Sequence, residues 1–240
     1  MERRSVPHIY ITNNSTMTPQ DLSRRLEKIG LITNSAQILT SVTATMAYMS
    51  HKFPPGTKVY PVGESGLQTA LEKAGFVLSD DNVDAVVVGL DREINYEKIQ
   101  RASSLILSGA TFVACNADSG APTPDGIAPG AGAMVYAIQA VTKVEPIIIG
   151  KPQPAIFIEG MNKLGLSAEE TASVGDRLDV DIQCAHQAGM MGILVLSGLT
   201  TREMLSQSTI RPNLVFDNIG DMAEKWDKVL DEGGCDGNPF

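Results

Sequence analysis

VGDRLDVDIQCAHQAG, residues 174–189, reads from the end of an apolar strand through an acidic loop into a helix. The strand ends at Gly175, and Asp176, Asp179 and Asp181 follow around the turn. Several carboxylates near one point suit a hard cation such as Mg²⁺, which takes oxygen ligands. Aspartates at the start of a helix also cap it and favour its dipole. The pattern therefore predicts a metal ligand at Asp176 and leaves Asp179 and Asp181 open between metal binding and helix capping.

Apolar runs of strand length alternate with helical patterns along the chain outside this stretch. The predicted strands are 8–11, 58–63, 84–90, 111–116, 146–150, 171–176 and 191–198. The predicted helices are 19–29, 37–49, 65–74, 96–108, 132–142, 154–164 and 180–188. Such alternation is typical of α/β proteins with largely parallel sheets. Ligands of these proteins collect at the carboxyl ends of strands, so polar residues at those ends are the first candidates for a site.

Two more predicted strands end in polar residues, and with the acidic loop they suggest one site. Lys151 follows the strand 146–150 and stands between a glycine and a proline, so it is either a rigidly placed charge for a phosphate oxygen or a solvated loop lysine. The strand 8–11 runs into TNNS, where the Thr12 hydroxyl and the following peptide N–H groups could hold an anion. The alternative for TNNS is a polar turn in which Asn14 or Ser15 caps a helix.

Composition excludes several classes of protein. The chain has 240 residues, 43% of them hydrophobic, and a net charge of −9, which argues against a nucleic-acid partner. No apolar run approaches the roughly 20 residues that span a bilayer, and the N-terminus lacks the apolar core of a signal peptide. The three cysteines, Cys115, Cys184 and Cys235, are too scattered for a disulfide framework. We expect a cytoplasmic protein with no membrane or nucleic-acid partner.

Several segments resemble one family. YITNNS, GKPQPAIF and VGDRLDVDIQCAHQAGMMGILVLSG are similar to the second, third and fourth motifs of the haloacid dehalogenase (HAD) superfamily of aspartate-nucleophile phosphatases. GLDREINYEK and PDGIAPGAG resemble its p-nitrophenylphosphatase and phosphoglycolate-phosphatase branch, which inserts a large cap between motifs two and three. The resemblance covers about residues 5 to 230. It implies a Rossmann-like core formed by 1–32 and 140–240, with an inserted α/β cap at 33–139.

The resemblance also implies an activity and a site. The activity is magnesium-dependent hydrolysis of small phosphomonoesters such as p-nitrophenyl phosphate or phosphoglycolate, so the expected partner is a small phosphorylated metabolite. The implied phosphate-binding residues are Thr12, Asn13, Asn14 and Lys151, of which Lys151 is the catalytic one, and the implied magnesium ligands are Asp176 and Asp181. The turn-rich segment after the strand 111–116, with Asn116 and Asp118, is expected either to close over the leaving group or to form structural turns.

The sequence departs from the family at its first motif, D-x-D-G, which supplies the nucleophilic aspartate. Only MERRSVP precedes the strand 8–11, and it contains no aspartate. We therefore expect a truncated chain that lacks the first strand of the core and is catalytically impaired. The alternative function is a non-catalytic binding or dimerisation module derived from such a phosphatase. The cap and the exposed strand edges would favour a homodimer.

Overall fold

The computed structural model describes residues 6–123 and 125–231, in which strands and helices alternate. The strands are β1 (Tyr10–Thr12), β2 (Ile38–Thr40), β3 (Lys58–Val62), β4 (Val77–Leu78), β5 (Ala85–Val88), β6 (Thr111–Ala114), β7 (Gly120–Thr123), β8 (Gly126–Pro129), β9 (Ile147–Ile148), β10 (Ala172–Gly175), β11 (Met191–Val195) and β12 (Leu214–Phe216). The helices are α1 (Pro19–Glu27), α2 (Ser41–Lys52), α3 (Ser65–Lys73), α4 (Tyr96–Leu107), α5 (Ala131–Thr142), α6 (Ala155–Leu164), α7 (Gln183–Gln187), α8 (Arg202–Gln207) and α9 (Ile219–Asp231). The predicted α/β class is confirmed.

The chain divides into two compact units, Met1–Leu164 and Gly165–Phe240. The predicted division into 1–32, 33–139 and 140–240 is a different partition, and it stays a prediction. Pairing crosses both of its boundaries: β1 pairs with β2 in parallel, and β9 pairs with β6. The first unit thus joins β1, the segment 33–139 and the segment that runs from β9 to Leu164.

A five-stranded parallel sheet in the order β4-β3-β5-β6-β9 forms the centre of the first unit. All four residues of β5 are buried, as expected for a strand that is covered on both faces. Helices α4 and α5 pack on this sheet, and their core cluster includes Val86, Val88, Ile106, Val135 and Ile138. Burying such a side chain stabilises the fold by roughly 1.5–3 kcal/mol. The carboxyl ends of β5, β6 and β9 are thereby placed on one edge of the sheet.

The loop after β1 packs against the five-stranded sheet. Ser15 is 3% exposed, and its Oγ accepts a hydrogen bond of 2.9 Å from the N–H of Leu90, just past β5. At the start of α3, a Cβ added to Gly66 would stand 2.6 Å from the carbonyl oxygen of Thr16. Only a glycine at position 66 therefore permits the close approach of Thr16. The loop after β1 is thus supported by the turns of the five-stranded sheet.

The second unit contains the parallel sheet β10-β11-β12. Ile193, Val195 and Phe216 form one of its apolar clusters, with Met222 of α9 packed against it. After β10 the chain passes through Asp176 and Arg177 into a π-helical turn, Leu178–Ile182, which continues into α7. None of the described helices is long and apolar enough to cross a membrane.

Local predictions fail where tertiary pairing decides the conformation. The helix predicted for 37–49 begins only at Ser41, because residues 38–40 pair with β1, and Thr40 then caps the helix by accepting from the N–H of Thr43. The hairpin β7–β8 lies in the segment expected either to close over the leaving group or to form structural turns, and β4 and α8 were not predicted. Cys115 and Cys184 are buried and form no disulfide within the described part of the chain, whereas Cys235 lies outside it.

Candidate functional site

Asn13 joins the tip of β1 to the main chain of Lys151 in the first unit. Its Oδ1 accepts a hydrogen bond of 2.8 Å from the N–H of Lys151, and its Nδ2 donates to the Lys151 carbonyl at 2.9 Å. Nδ2 also donates to Oδ2 of Asp118 at 3.1 Å. The carboxyl ends of parallel strands lie on the same edge of a sheet, so residues 138 apart in sequence can meet here. The structure therefore brings Asn13, at the tip of β1, against the main chain of Lys151, and a shared phosphate site of Thr12, Asn13 and Lys151 stays a prediction.

Two buried donors hold the main chain of Asn13. Its carbonyl oxygen accepts from Ser41 Oγ at 2.9 Å and from Asn116 Nδ2 at 2.7 Å. Ser41 is fully buried and Asn116 is 3% exposed. These bonds immobilise Asn13 between β1, the start of α2 and the end of β6, and they keep its side chain aimed at Lys151.

Gly150 allows Asn13 to lie close enough to the Lys151 segment for their hydrogen bonds to form. A Cβ added there would stand 2.7 Å from Asn13 Oδ1 and 2.7 Å from the carbonyl oxygen of Cys115. Both contacts are far tighter than van der Waals distance, so a side chain at 150 would push the Lys151 segment away from β1. The sequence prediction treated this glycine only as a support for Lys151. The structure shows that it is required by the packing.

Thr12 and Asn14 make a local turn at the end of β1. The Thr12 hydroxyl accepts from the N–H of Asn14 at 3.2 Å, which leaves its own O–H as a donor. Asn14 Oδ1 accepts from the N–H groups of Thr16 and Met17, at 3.0 and 2.8 Å. Asn14 thus takes the turn-forming role that had been its alternative, and a direct contact of Asn14 with phosphate stays a prediction.

The buried thiol of Cys115 lies directly before Asn116 and is not a nucleophile. Burial raises its pKa to about 12, so it carries its proton at neutral pH. A thiolate, not a thiol, is the reactive form. Cys115 contributes packing and a main-chain carbonyl beside Gly150.

Asp176 directly follows β10 in the second unit, as the sequence predicted. Its Oδ2 accepts a hydrogen bond of 2.8 Å from the N–H of Leu199, and its carbonyl accepts from the N–H of Thr200. A Cβ added to Gly198 would stand 2.1 Å from Asp176 Oδ2, so the loop after β11 closes tightly on this carboxylate. Asp176 is therefore fixed by the main chain of a neighbouring strand end.

Asp181 and Asp179 occupy different environments on the π-helical turn. Asp181 is 7% exposed, and its Oδ2 accepts from the N–H of Arg177 at 3.1 Å. A Cβ added to Gly175 would stand 2.3 Å from the Cβ of Asp181, so this carboxylate lies against the end of β10. Asp179 is exposed and pairs with the Arg177 guanidinium at 2.8 Å. The structure places Asp181 beside the strand end and gives Asp179 a surface role.

The donor set of the acidic loop suits a hard cation. Asp176 and Asp181 supply carboxylate oxygens held by main-chain N–H groups, and magnesium is usually bound through one or two carboxylates with waters and phosphate oxygens. Among the described residues no group of three or more His, Cys, Asp or Glu could hold a metal by itself. The two carboxylates of Asp176 and Asp181 thus fit magnesium.

Sequence reasoning missed Ser41 and the side-chain role of Asn13. Ser41 lies just past a three-residue strand that had been predicted as helix, so its place at a strand end was hidden. The sequence predicts a phosphate contact for the main chain at Asn13 and assigns no role to the carboxamide, both of whose N–H groups are donated to Lys151 and Asp118. Asp118 had been singled out only as part of a loop.

Comparisons with known proteins agree with this arrangement. A haloacid dehalogenase-like hydrolase family model matches residues 1–77, and a HAD-hydrolase-like model matches residues 148–222. A dihydroxyacetone phosphatase of Corynebacterium glutamicum is 40% identical over 229 residues, which are 95% of this chain and 83% of the relative. An acid sugar phosphatase of Staphylococcus aureus is 38% identical, over 94% of this chain and 87% of the relative.

Solved structures give the same result. The p-nitrophenyl phosphatase from Archaeoglobus fulgidus superposes with a TM-score of 0.88 at 35% identity, over 93% of this chain and 87% of that chain. NagD from E. coli K-12 superposes with a TM-score of 0.84 at 34% identity, over 90% and 85%. Identity and coverage of this extent establish the family, and the chain belongs to the haloacid dehalogenase-like hydrolases.

Proposed function

We propose that this chain binds small phosphomonoesters and is built for their magnesium-dependent hydrolysis. The observation that carries the proposal is the pair of hydrogen bonds by which Asn13 fixes the main chain of Lys151 beside Thr12. Phosphoryl transfer depends mainly on positioning and on neutralising the charge of the phosphoryl oxygens. A lysine whose main chain is fixed against the residue that follows Thr12 supports both requirements.

The three proposed phosphate-binding residues of the first unit have different roles. The Thr12 hydroxyl, whose lone pair already accepts from Asn14, donates its proton to a phosphoryl oxygen. The Asn13 main-chain N–H is a second donor at the same strand end. The Lys151 ammonium group acts as a point charge against the phosphate and the attacking group. These contacts would bind the ground state and stabilise the charge that develops in the transition state.

In the second unit Asp176 and Asp181 would hold the magnesium ion. When bound, magnesium neutralises phosphate oxygens and orients the phosphoryl group. Main-chain N–H groups fix both carboxylates before any ion arrives, so little reorganisation is needed.

The substrate class follows from the relatives. They are named dihydroxyacetone phosphatase, acid sugar phosphatase and p-nitrophenyl phosphatase. We assign this chain to small phosphomonoesters on that basis, and phosphatase relatives along nearly the whole chain do not favour a purely non-catalytic module. Self-association stays a prediction, and light scattering at tens of micromolar protein would test it.

Turnover also requires an attacking carboxylate. The family takes it from a strand ahead of the second motif. The test therefore uses an extended version of the protein, in which a strand that carries D-x-D precedes these 240 residues. We expect it to bind inorganic phosphate and to hydrolyse p-nitrophenyl phosphate only when magnesium is present.

Two substitutions in the extended version test the assigned roles. Lys151→Ala should lower the rate by about 10²–10³-fold, and Asp176→Asn should abolish the magnesium dependence, because each removes charge stabilisation at the phosphoryl group. Lys163→Ala is the matched control, since it removes an exposed lysine from α6 and should leave the rate unchanged. Magnesium-dependent turnover that survives Asp176→Asn would refute the proposal.

A further inference from the structure

We infer that Asp118 and Asn13 are positioning residues for Lys151: Asp118 orients the Asn13 carboxamide, and that carboxamide fixes the main chain from which the lysine reaches phosphate. The inference deepens the proposed function and rests on it, because it assumes that Lys151 binds phosphate. It concerns residues 13, 118 and 151, which are all in the first unit.

The hydrogen bonds of Asn13 exclude a direct role for its side chain in binding phosphate. A carboxamide has two N–H donors. One is donated to the Lys151 carbonyl at 2.9 Å and the other to Asp118 Oδ2 at 3.1 Å. No donor remains for a phosphate oxygen, so the side chain acts on the ligand only through the residue that it holds.

Asp118 and Lys151 demand the same orientation of this carboxamide. An ionised carboxylate only accepts hydrogen bonds, so the atom that faces Asp118 must be the nitrogen. The oxygen then faces the Lys151 N–H, where it accepts at 2.8 Å. With the amide turned over, oxygen would face two oxygens and N–H would face N–H. Three attractive contacts would become three repulsive ones.

The charge of Asp118 makes the inference testable. A carboxylate near a phosphate-binding lysine repels an anionic ligand, so a purely electrostatic role predicts tighter phosphate binding when it is removed. A positioning role predicts weaker binding, because the Asn13 carboxamide and the Lys151 main chain become less ordered. The two roles therefore predict opposite changes in phosphate affinity when Asp118 is removed.

The experiment measures the dissociation constant of inorganic phosphate by calorimetry and the hydrogen exchange of the Lys151 amide by NMR. Asp118→Ala should weaken phosphate binding about 5–10-fold, the size of one lost hydrogen bond at a charged group, and should speed exchange at Lys151. Asp118→Asn should stay within about twofold of the wild type, because an amide oxygen can accept the same bond. Retained binding in Asp118→Asn would show that position 118 acts through its hydrogen-bond acceptor and not through its negative charge.

A double-variant cycle tests the contact between the two residues. Asn13→Asp removes both donors and sets two carboxylates against each other, so phosphate binding should weaken at least about tenfold. Combining it with Asp118→Asn should recover part of the loss, because the new amide at position 118 can donate to the new carboxylate at position 13. Asn14→Asp is the charge-matched comparison: Asn14 Oδ1 only accepts, so its bonds survive and the loss should be smaller.

Equal or tighter phosphate binding in Asp118→Ala, with unchanged exchange at Lys151, would overturn the inference. A wild-type chain that does not bind phosphate would instead overturn the proposed function. The exchange rate of the Lys151 amide needs no ligand, so it decides the positioning role in either case.

Discussion

Lys151 is held by a side chain 138 residues away in sequence, whereas Asp181 accepts a hydrogen bond from a main-chain N–H only four residues away. Asp176 is held by the main chain of the loop that follows the adjacent strand. The lysine site of the first unit thus depends on three distant segments that meet at a sheet edge, and the acidic loop of the second unit depends on one turn and one neighbouring strand end. Substitutions should therefore damage the two regions separately, and the lysine site should be sensitive to changes far away in sequence.

The largest expected effects come from two glycines, one in each region. Gly150→Ala would press on Asn13 Oδ1 and the Cys115 carbonyl, and Gly175→Ala would press on the Asp181 side chain. Each should cost about 3 kcal/mol of unfolding free energy, because backbone has to move. Urea unfolding measures this cost.

The same two variants should differ in which ligand they bind less tightly. Gly150→Ala should weaken phosphate binding without magnesium, and Gly175→Ala should weaken magnesium binding. Isothermal titration with each ligand checks this. If either variant weakened both ligands by the same factor, the two regions would not be held independently.

Asn116→Ala should have the next largest effect. It removes a buried donor from the Asn13 carbonyl and an acceptor from the N–H of Asp118, so we expect a loss of about 2 kcal/mol together with weaker phosphate binding. Asn95→Ala is the control: it removes the cap of α4 and should cost about 1 kcal/mol with unchanged phosphate affinity. Chemical denaturation and phosphate titration measure both.

Cys115 should make the protein sensitive to alkaline pH. Its pKa is raised from 9.0 to about 12 by burial, so above pH 9 the unfolded chain loses a proton that the folded chain keeps. The thiol's contribution is complete below pH 9, and the unfolding free energy should then fall by about 1.4 kcal/mol per pH unit until about pH 12. Urea unfolding of the wild type and Cys115→Ala at pH 8, 9 and 10 measures the difference. Parallel pH dependences in the two proteins would contradict it.

The smallest effect is expected at Asp179. Its ion pair with Arg177 is exposed, so Asp179→Asn should change the unfolding free energy by less than about 0.5 kcal/mol. It should also change magnesium affinity less than twofold, in contrast to Asp176→Asn. A tenfold loss of magnesium affinity in Asp179→Asn would instead indicate that Asp179 binds the metal.

The acidic loop was predictable because its determinants are close in sequence. A strand, a glycine and an aspartate follow one another, and the structure places Asp176 at a strand end as expected. The sequence indicated that Asn13 and Lys151 could lie close together, but it did not indicate how they bond. Strand ends in a parallel sheet indicated that residues 12–14 and 151 could meet, but nothing local shows which amide atom contacts which partner.

The missed strand β2 has a similar cause. Ile38 and Leu39 are fully compatible with a helix, and only pairing with β1 makes residues 38–40 extended. Ser41 was lost from the predicted site for that reason. The predicted domain boundaries and the roles of Thr12, Asn14 and Asp181 in binding stay predictions.

The hydrogen bond between Ser15 and Leu90 limits how this protein can be recombined with its relatives. A foreign five-stranded sheet would accept Ser15 and Thr16 only if it supplied an N–H at the position of Leu90 and a glycine at position 66, because a Cβ there would meet the Thr16 carbonyl oxygen. A chimera that transfers residues 15–16 together with the turns at 63–66 and 89–90 keeps both contacts. A breakpoint before Ser15 therefore preserves them, whereas one at the edge of the sheet separates the partners.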